Sequence, residues 1–159
     1  MKTSHGFTLF ETIIALIIMG ILMAIAAPNV IEMIRSQRVR DATFDLQASV
    51  MRARSEAMKR NTTVTILPVG GSWTNGWSIA NPAYAGKYIE EHAAPSDIVI
   101  TPYCSATTSI AFNSLGRMEA TQQAKLDIYS SGAGVRRCLI IELTGRPNVK
   151  SAGCTTTCT

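Results

Sequence analysis

Charge is scarce in this sequence. Charged residues make up 16% of its 159 positions, against roughly 25% in an average soluble domain. The shortage is local, because the twenty residues from Thr12 to Ile31 carry no charge at all. Aromatic residues are few, at 6%. There are two histidines and four cysteines, none of the cysteines before Cys104, which leaves little to build a metal site from. No GxSxG elbow, HExxH pair or phosphate-binding loop occurs, which removes the commonest hydrolase, metalloprotease and nucleotide-binding readings. His92, next to Glu90 and Glu91, is the one histidine–carboxylate grouping suited to acid–base work. It falls in the Pro-, Gly- and Ala-rich stretch 81–97 and is read as part of a solvated loop. No catalytic, cofactor-binding or metal-binding residue is expected, and the chain is not expected to be an enzyme.

What is present is 47% hydrophobic, enough for a packed core and against wholesale disorder. The uncharged run TIIALIIMGILMAIAAPNVI matches the roughly 20 apolar residues that cross a bilayer as a helix. A secretory signal would have a shorter apolar region, about 7–15 residues, with a small-residue cleavage site. Glu11 argues against that alternative. It lies five residues into the apolar run that begins at Phe7, where an unpaired carboxylate in lipid is costly and is retained for a function.

The run His5-Gly6-Phe7-Thr8-Leu9-Phe10-Glu11 resembles the class III signal of type IV prepilins and type II secretion pseudopilins. The resemblance implies cleavage between Gly6 and Phe7 by a prepilin peptidase, with Phe7 then N-methylated. Glu11 becomes the fifth mature residue and Pro28 the twenty-second, where many pilins carry a helix-bending proline. Phe10 departs conservatively from the commoner Ile or Val. In a fibre of stacked apolar helices, Glu11 needs a partner, because an unpaired buried charge is costly. The free amino group of Phe7 on a neighbouring subunit is the natural one.

Beyond Pro28 the pattern stays helical. Val39, Ala42, Leu46, Val50, Ala53 and Ala57 recur at three- and four-residue steps and form an amphipathic stripe. Lys59 and Arg60 suit a helix C-terminus, and Asn61 is the expected stop. Pro28 is expected to kink this helix rather than end it. The net charge of +4 sits mostly between Asn29 and Arg60, with seven basic and four acidic residues. Residues 61–159 hold seven basic against six acidic, so the basic balance is no footprint of a nucleic-acid-binding head. Arg35, Arg38 and Arg40 read first as a solvated helix face, and secondly as partners for lipid phosphates.

After Asn61 the period changes to alternation. Thr63–Val69, Trp77–Ala80, Asp97–Thr101, Thr108–Asn113, Leu126–Tyr129, Arg136–Leu143 and Val149–Lys150 are the expected strands. The fold class is therefore α+β, a long N-terminal helix packed on a small antiparallel β head. Its divisions are a leader over 1–6, an apolar membrane and assembly helix over 7–31, an amphipathic helix over 32–60 and a β-rich head over 61–159. Three further runs carry a second resemblance. Trp73-Thr74-Asn75-Gly76-Trp77, Ala111-Phe112-Asn113-Ser114-Leu115-Gly116-Arg117 and Glu142-Leu143-Thr144-Gly145-Arg146 resemble the GspH/FimT family, and its FimU-type minor pilins most. The two tryptophans are expected in the core. Gly116 and Gly145 are expected at turns needing positive φ, and Arg117 and Arg146 at loop carbonyls or in solvent.

Cys104, Cys138, Cys154 and Cys158 all lie in the head, which the resemblance places in the oxidising periplasm. An even count implies bridges with three possible connectivities. Intervals of 33, 15 and 3 residues lack the paired C-x₂-C spacing of a zinc site. Cys104–Cys138 with Cys154–Cys158 is the favoured pairing, and Cys138–Cys154 is the main alternative.

The resemblance implies a structural function. The chain is expected to be a minor pilin that enters a type IV pilus through its helix and primes or caps assembly near the tip. Its partners would be other minor pilins, the major pilin and the peptidase and methyltransferase that process it, with no cofactor. It would wait in the bacterial inner membrane as a single-pass protein with a periplasmic head, then move to the surface fibre. Two alternatives stand beside this. A FimT-like DNA receptor for natural transformation would use Arg136, Arg137, Arg146 and Lys150. Its C-terminal Gly-Arg-x-Arg motif, however, is matched here by Gly145-Arg146-Pro147-Asn148, without the second arginine. A GspH-like pseudopilin of type II secretion would use the same helix and head.

Overall fold

Thr8 opens a helix by accepting the Glu11 backbone N–H on its hydroxyl at 3.3 Å, the first half of a capping box. The helix, α1, runs over Leu9–Arg60. In this computed structural model residues 8–104, 106, 108–132, 134–155 and 157 are described. Gly6 and Phe7, the expected processing site, and Cys158 lie outside them. The chain divides into two compact units, Met1–Ile34 and Arg35–Thr159.

In the first unit the helix continues unbroken through Pro28, so the proline does not end it. In the second unit α1 contributes the expected stripe. Val39, Ala42, Leu46, Val50, Ala53 and Ala57 are all buried. The helix ends in a Schellman motif, with Asn61 at φ 51. The Asn61 N–H donates to the Met58 carbonyl at 3.4 Å and the Thr62 N–H to the Ala57 carbonyl at 3.2 Å.

Among the described residues eight strands follow, β1 (Val64–Pro68), β2 (Gly76–Ala80), β3 (Tyr88–Ala93), β4 (Val99–Cys104), β5 (Ile110–Phe112), β6 (Ala124–Tyr129), β7 (Arg136–Ile141) and β8 (Pro147–Lys150). They form two four-stranded antiparallel sheets, ordered β3-β2-β1-β5 and β4-β6-β7-β8. Alternation explains the register. Ile66 faces Ile79 and Val64 faces Phe112 in the first sheet. Leu126 faces Leu139, and Leu139 faces Val149, in the second. These inward residues join the α1 stripe in one hydrophobic core. Trp73 and Trp77 are each 1% exposed, and their indole N–H groups are satisfied. Trp73 donates to the Ala106 carbonyl at 2.8 Å, and Trp77 to Ser49 Oγ at 2.9 Å.

Two expectations are corrected. The stretch 81–97 contains strand β3, with Trp77 opposite His92 and Ile79 opposite Glu90. An edge strand pairs on one side only and needs no apolar alternation, so YIEEHA carries no hydrophobic signature. The favoured disulfide pairing is also overturned. Cys138 bonds Cys154, with Cα atoms 4.9 Å apart, which removes both Cys104–Cys138 and Cys154–Cys158. The register supplies the reason. Strand β6 lies between β4 and β7, and two strand spacings are already about 9.5 Å, beyond the reach of a disulfide. Cys104 is opposite Ala124, which is opposite Ile141 rather than Cys138. Cys104 is itself disulfide-bonded.

The bridge holds the C-terminal tail against the outer face of β6. Asp127 Oδ1 accepts the Cys154 N–H at 3.3 Å. The buried Lys125 ammonium donates to the carbonyls of Thr155 at 3.3 Å and Thr157 at 2.5 Å. Without the tail, two buried charged side chains would face solvent on a sheet surface.

Candidate assembly surface

The first unit has the composition of a core element and the exposure of a surface. Leu9 is 80% exposed. Phe10, Ile13, Leu16, Ile17, Ile21 and Leu22 are exposed with it. Successive residues on a helix advance by a hundred degrees, so these side chains occupy every face. Among the described residues, none of the most apolar window is buried within the chain. Such a helix is covered by lipid or by other helices.

Glu11 is the only charged residue between Leu9 and Ile31. Its backbone is engaged by Thr8, but among the described residues no cation lies within ion-pair distance of its carboxylate. The side chain is exposed and open to a partner outside the chain.

The second unit offers a smaller apolar strip. Phe44, Met51 and Met58 are 66%, 50% and 46% exposed. Their seven-residue spacing places them along one line of the helix, turned away from the buried stripe at Phe44 and Met51 and reaching the edge of the head at Met58, whose Sδ lies beside Gly116. Sequence reasoning missed this strip. Its signal was there, as large apolar residues in heptad spacing out of phase with Val39–Ala57.

The residues proposed for nucleic acid do not form one patch. Arg136 is held at the start of β7. Its Nη2 is 3.1 Å from the buried Asp127 carboxylate, and its guanidinium lies 4.2 Å from the centre of the Tyr129 ring. Arg137 is directed to the opposite face of the sheet, level with Ile128. Lys150 lies across from Cys138. Arg146 is in the β7–β8 turn, beyond the Ile141–Pro147 pair. It is therefore separated from Arg136 by the length of β7, roughly 16 Å at 3.3 Å per residue.

His92 is not in a solvated loop. Its ring stacks on Trp77 with centroids 5.0 Å apart, and its Nε2 is 2.5 Å from Glu90 Oε1. The other oxygen of Glu90 lies 2.8 Å from Arg52 Nε. Oε1 is engaged by His92, whereas Oε2 makes a charge contact with Arg52 without hydrogen-bond geometry, and the group ties β3 to α1. Gly116 and Gly145 sit at turns with φ 72 and φ 79. Arg117 and Arg146 are exposed. Among the described residues no group of three or more His, Cys, Asp or Glu side chains could hold a metal ion.

The sequence profile of the type II transport protein GspH family matches residues 42–145, well over half the chain. The prokaryotic N-terminal methylation motif matches residues 1–27. No curated protein matches the chain. Two crystal forms of the type IV minor pilin FimU of Pseudomonas aeruginosa have a similar fold. One has a TM-score of 0.63 at 21% identity over 72% of this chain and 89% of the other. The second has a TM-score of 0.60 at 22% identity over 70% and 91%. At that identity the likeness concerns the fold alone.

Proposed function

We propose that this chain, which belongs to the GspH family, is a minor pilin of a type IV pilus. Its family is one of structural subunits that assemble with other pilins, and its apolar N-terminal helix carries the methylation motif. In the proposed pathway a prepilin peptidase removes residues 1–6 and Phe7 is N-methylated. The helix 7–31 then anchors the chain in the inner membrane, with residues 32–60 and the head 61–159 in the periplasm. The protein carries out no reaction of its own and takes no cofactor.

One observation carries this reading. An apolar helix whose described side chains have no cover inside the chain bears a single carboxylate near its N-terminal end. In lipid that carboxylate is a liability. In a bundle of like helices it becomes a register mark, paired with the amino group of a neighbouring subunit's Phe7. Burial of exposed side chains from Leu9 to Met23 drives insertion of the helix among its neighbours. The strip Phe44–Met51–Met58 extends the same contact beyond the apolar span. The head decides which subunit follows, and the chain primes or caps the fibre near its tip.

The test is the count of surface pili in a strain lacking the gene, with pilus retraction also disabled. Scarce or absent pili are the expected result. Normal piliation would contradict a role in priming. The family's GspH description supports a second reading, a pseudopilin of type II secretion. In that case the deletion would leave pili intact and abolish secretion. DNA uptake is disfavoured by the separation of Arg136 from Arg146 and by the carboxylate that already holds Arg136.

A further inference from the structure

A cleft of about 440 Å³ opens in the second unit between α1 and the start of β7. Ser36 and Arg40 line it from the helix, Arg136 and Arg137 from the strand, and Ser151 and Gly153 from the tail. No carboxylate lines it. Arg136 is already paired with Asp127. Among the described residues, neither Arg40 nor Arg137 has an ion pair. Arg137 Nε is buried without a hydrogen-bond partner. Arg35 adds a fourth guanidinium nearby, donating from Nη1 to the Gly132 carbonyl at 3.0 Å.

Two unpaired guanidinium groups in one cleft repel each other, and a buried N–H without an acceptor is a standing cost. A tetrahedral oxyanion removes both penalties. Its oxygens match the guanidinium fork better than any neutral group does, and the serine hydroxyls can donate to the oxygens that remain. Arg136 contributes positive field while staying bound to Asp127. Chain connectivity narrows the source. Ser36 follows Ile31, the end of the uncharged run, by five residues. Five residues reach at most about 17 Å, so a cleft built on Ser36 and Arg40 is tethered close to the headgroups of any bilayer holding that run.

We propose that this cleft binds the phosphate headgroup of an anionic phospholipid, and so retains the head at the membrane surface until the subunit is extracted into a fibre. The inference rests on the membrane-anchored reading given above. The test uses the full-length protein in nonionic detergent, incubated with dioleoyl-phosphatidylglycerol or dioleoyl-phosphatidylcholine at equal concentration. Native mass spectrometry counts the lipid retained.

The expected result is one phosphatidylglycerol held with about tenfold preference over phosphatidylcholine. The double variant Arg40→Gln with Arg137→Gln lowers that retention about tenfold. Arg40→Gln alone changes an exposed residue, keeps the fold, and lowers it severalfold. A control of equal charge, Arg146→Gln with Lys150→Gln, leaves it unchanged. Equal retention of both lipids overturns the proposal, as does equal loss in the control. Displacement by the same concentration of inorganic phosphate overturns the headgroup assignment. So does a duplex oligonucleotide that binds in place of the lipid and is lost in the double variant. Alkaline carbonate extraction of membranes separates this from failure of the anchoring reading. A chain that stays in the membrane but shows no lipid preference overturns the cleft alone, whereas a chain that is extracted overturns both.

Discussion

Gly145 and Gly116 meet over one side chain, Arg54, and show what a single atom would cost. A Cβ on Gly145 would fall 2.1 Å from the Gly116 carbonyl oxygen and 3.2 Å from Arg54 Nε. The position also has φ 79, which L-residues adopt at a cost of about 1–3 kcal/mol. Gly145→Ala is expected to destabilise the protein by at least about 2 kcal/mol, read from chemical denaturation of the detergent-solubilised chain. Glu56 gives a smaller effect with a defined pH sense. Its hydrogen bond from Arg60 holds its carboxyl below the ordinary value of 4.5, against the opposing effect of desolvation, with the charges of Arg60, Lys59 and Arg52 adding to the lowering. A lowered folded value means the stabilisation is present above the unfolded pKa and disappears as pH falls through the folded one. Glu56→Gln should therefore cost about 0.3–0.5 kcal/mol at pH 7. Denaturation curves of the two proteins should converge below pH 4.5. At this scale the sequence was informative wherever one periodicity ruled. The α1 stripe and both tryptophans were legible because each needs only local spacing or bulk. The partner of Cys138 was not, because it depends on which strand lies between two others.

Strand β3 and the C-terminal tail are the elements that sequence pattern could not reveal. The strand is an edge, with Glu90 and His92 turned inward to Arg52 and Trp77, so polar residues occupy positions that alternation would reserve for apolar ones. The division of the strands between two sheets is set by long-range pairing, such as β1 with β5, and no local signal records it. The tail has almost no apolar residues. Among the described residues it is fixed by the Cys138–Cys154 disulfide and by bonds to Lys125 and Asp127. A bridge across a sequence separation of 16 is worth about 3 kcal/mol by loop entropy. Cys154→Ser should lower stability by about that amount and open residues 151–155 to proteolysis, whereas the same protease spares the oxidised protein. The outer strip of α1 predicts the reverse combination. Exposed apolar residues contribute little to the subunit's own fold, so the triple variant Phe44→Ser, Met51→Ser and Met58→Ser should change stability by no more than about 1–2 kcal/mol, mainly through helix propensity. It should still reduce recovery of the protein in sheared fibres. Wild-type recovery in that variant would remove the strip from the assembly surface.

At the scale of the whole molecule, the two units answer different solvents. Residues 35–159 bury a core of their own, shared between one helix face and two sheets. Among the described side chains of residues 9–34 none is buried, and apolar ones are exposed on all sides. That contrast was legible from composition alone, because the uncharged run and Glu11 are features of sequence rather than of packing. The surface of the head was not, because it is assembled from turns and strand edges distant in the chain. In the proposed assembly the chain enters a fibre through its helix, with Glu11 pairing across subunits. The most direct measurement is the amount of the protein in sheared surface fibres, compared between wild type and Glu11→Gln, with the membrane fraction quantified in parallel. Wild-type protein is expected in the fibres, and the variant is expected to fall by about tenfold or more there, since one charge of a buried pair is left alone, while its membrane level is unchanged. Recovery of Glu11→Gln in fibres at the wild-type level, or abundant fibres without the wild-type protein, would contradict it.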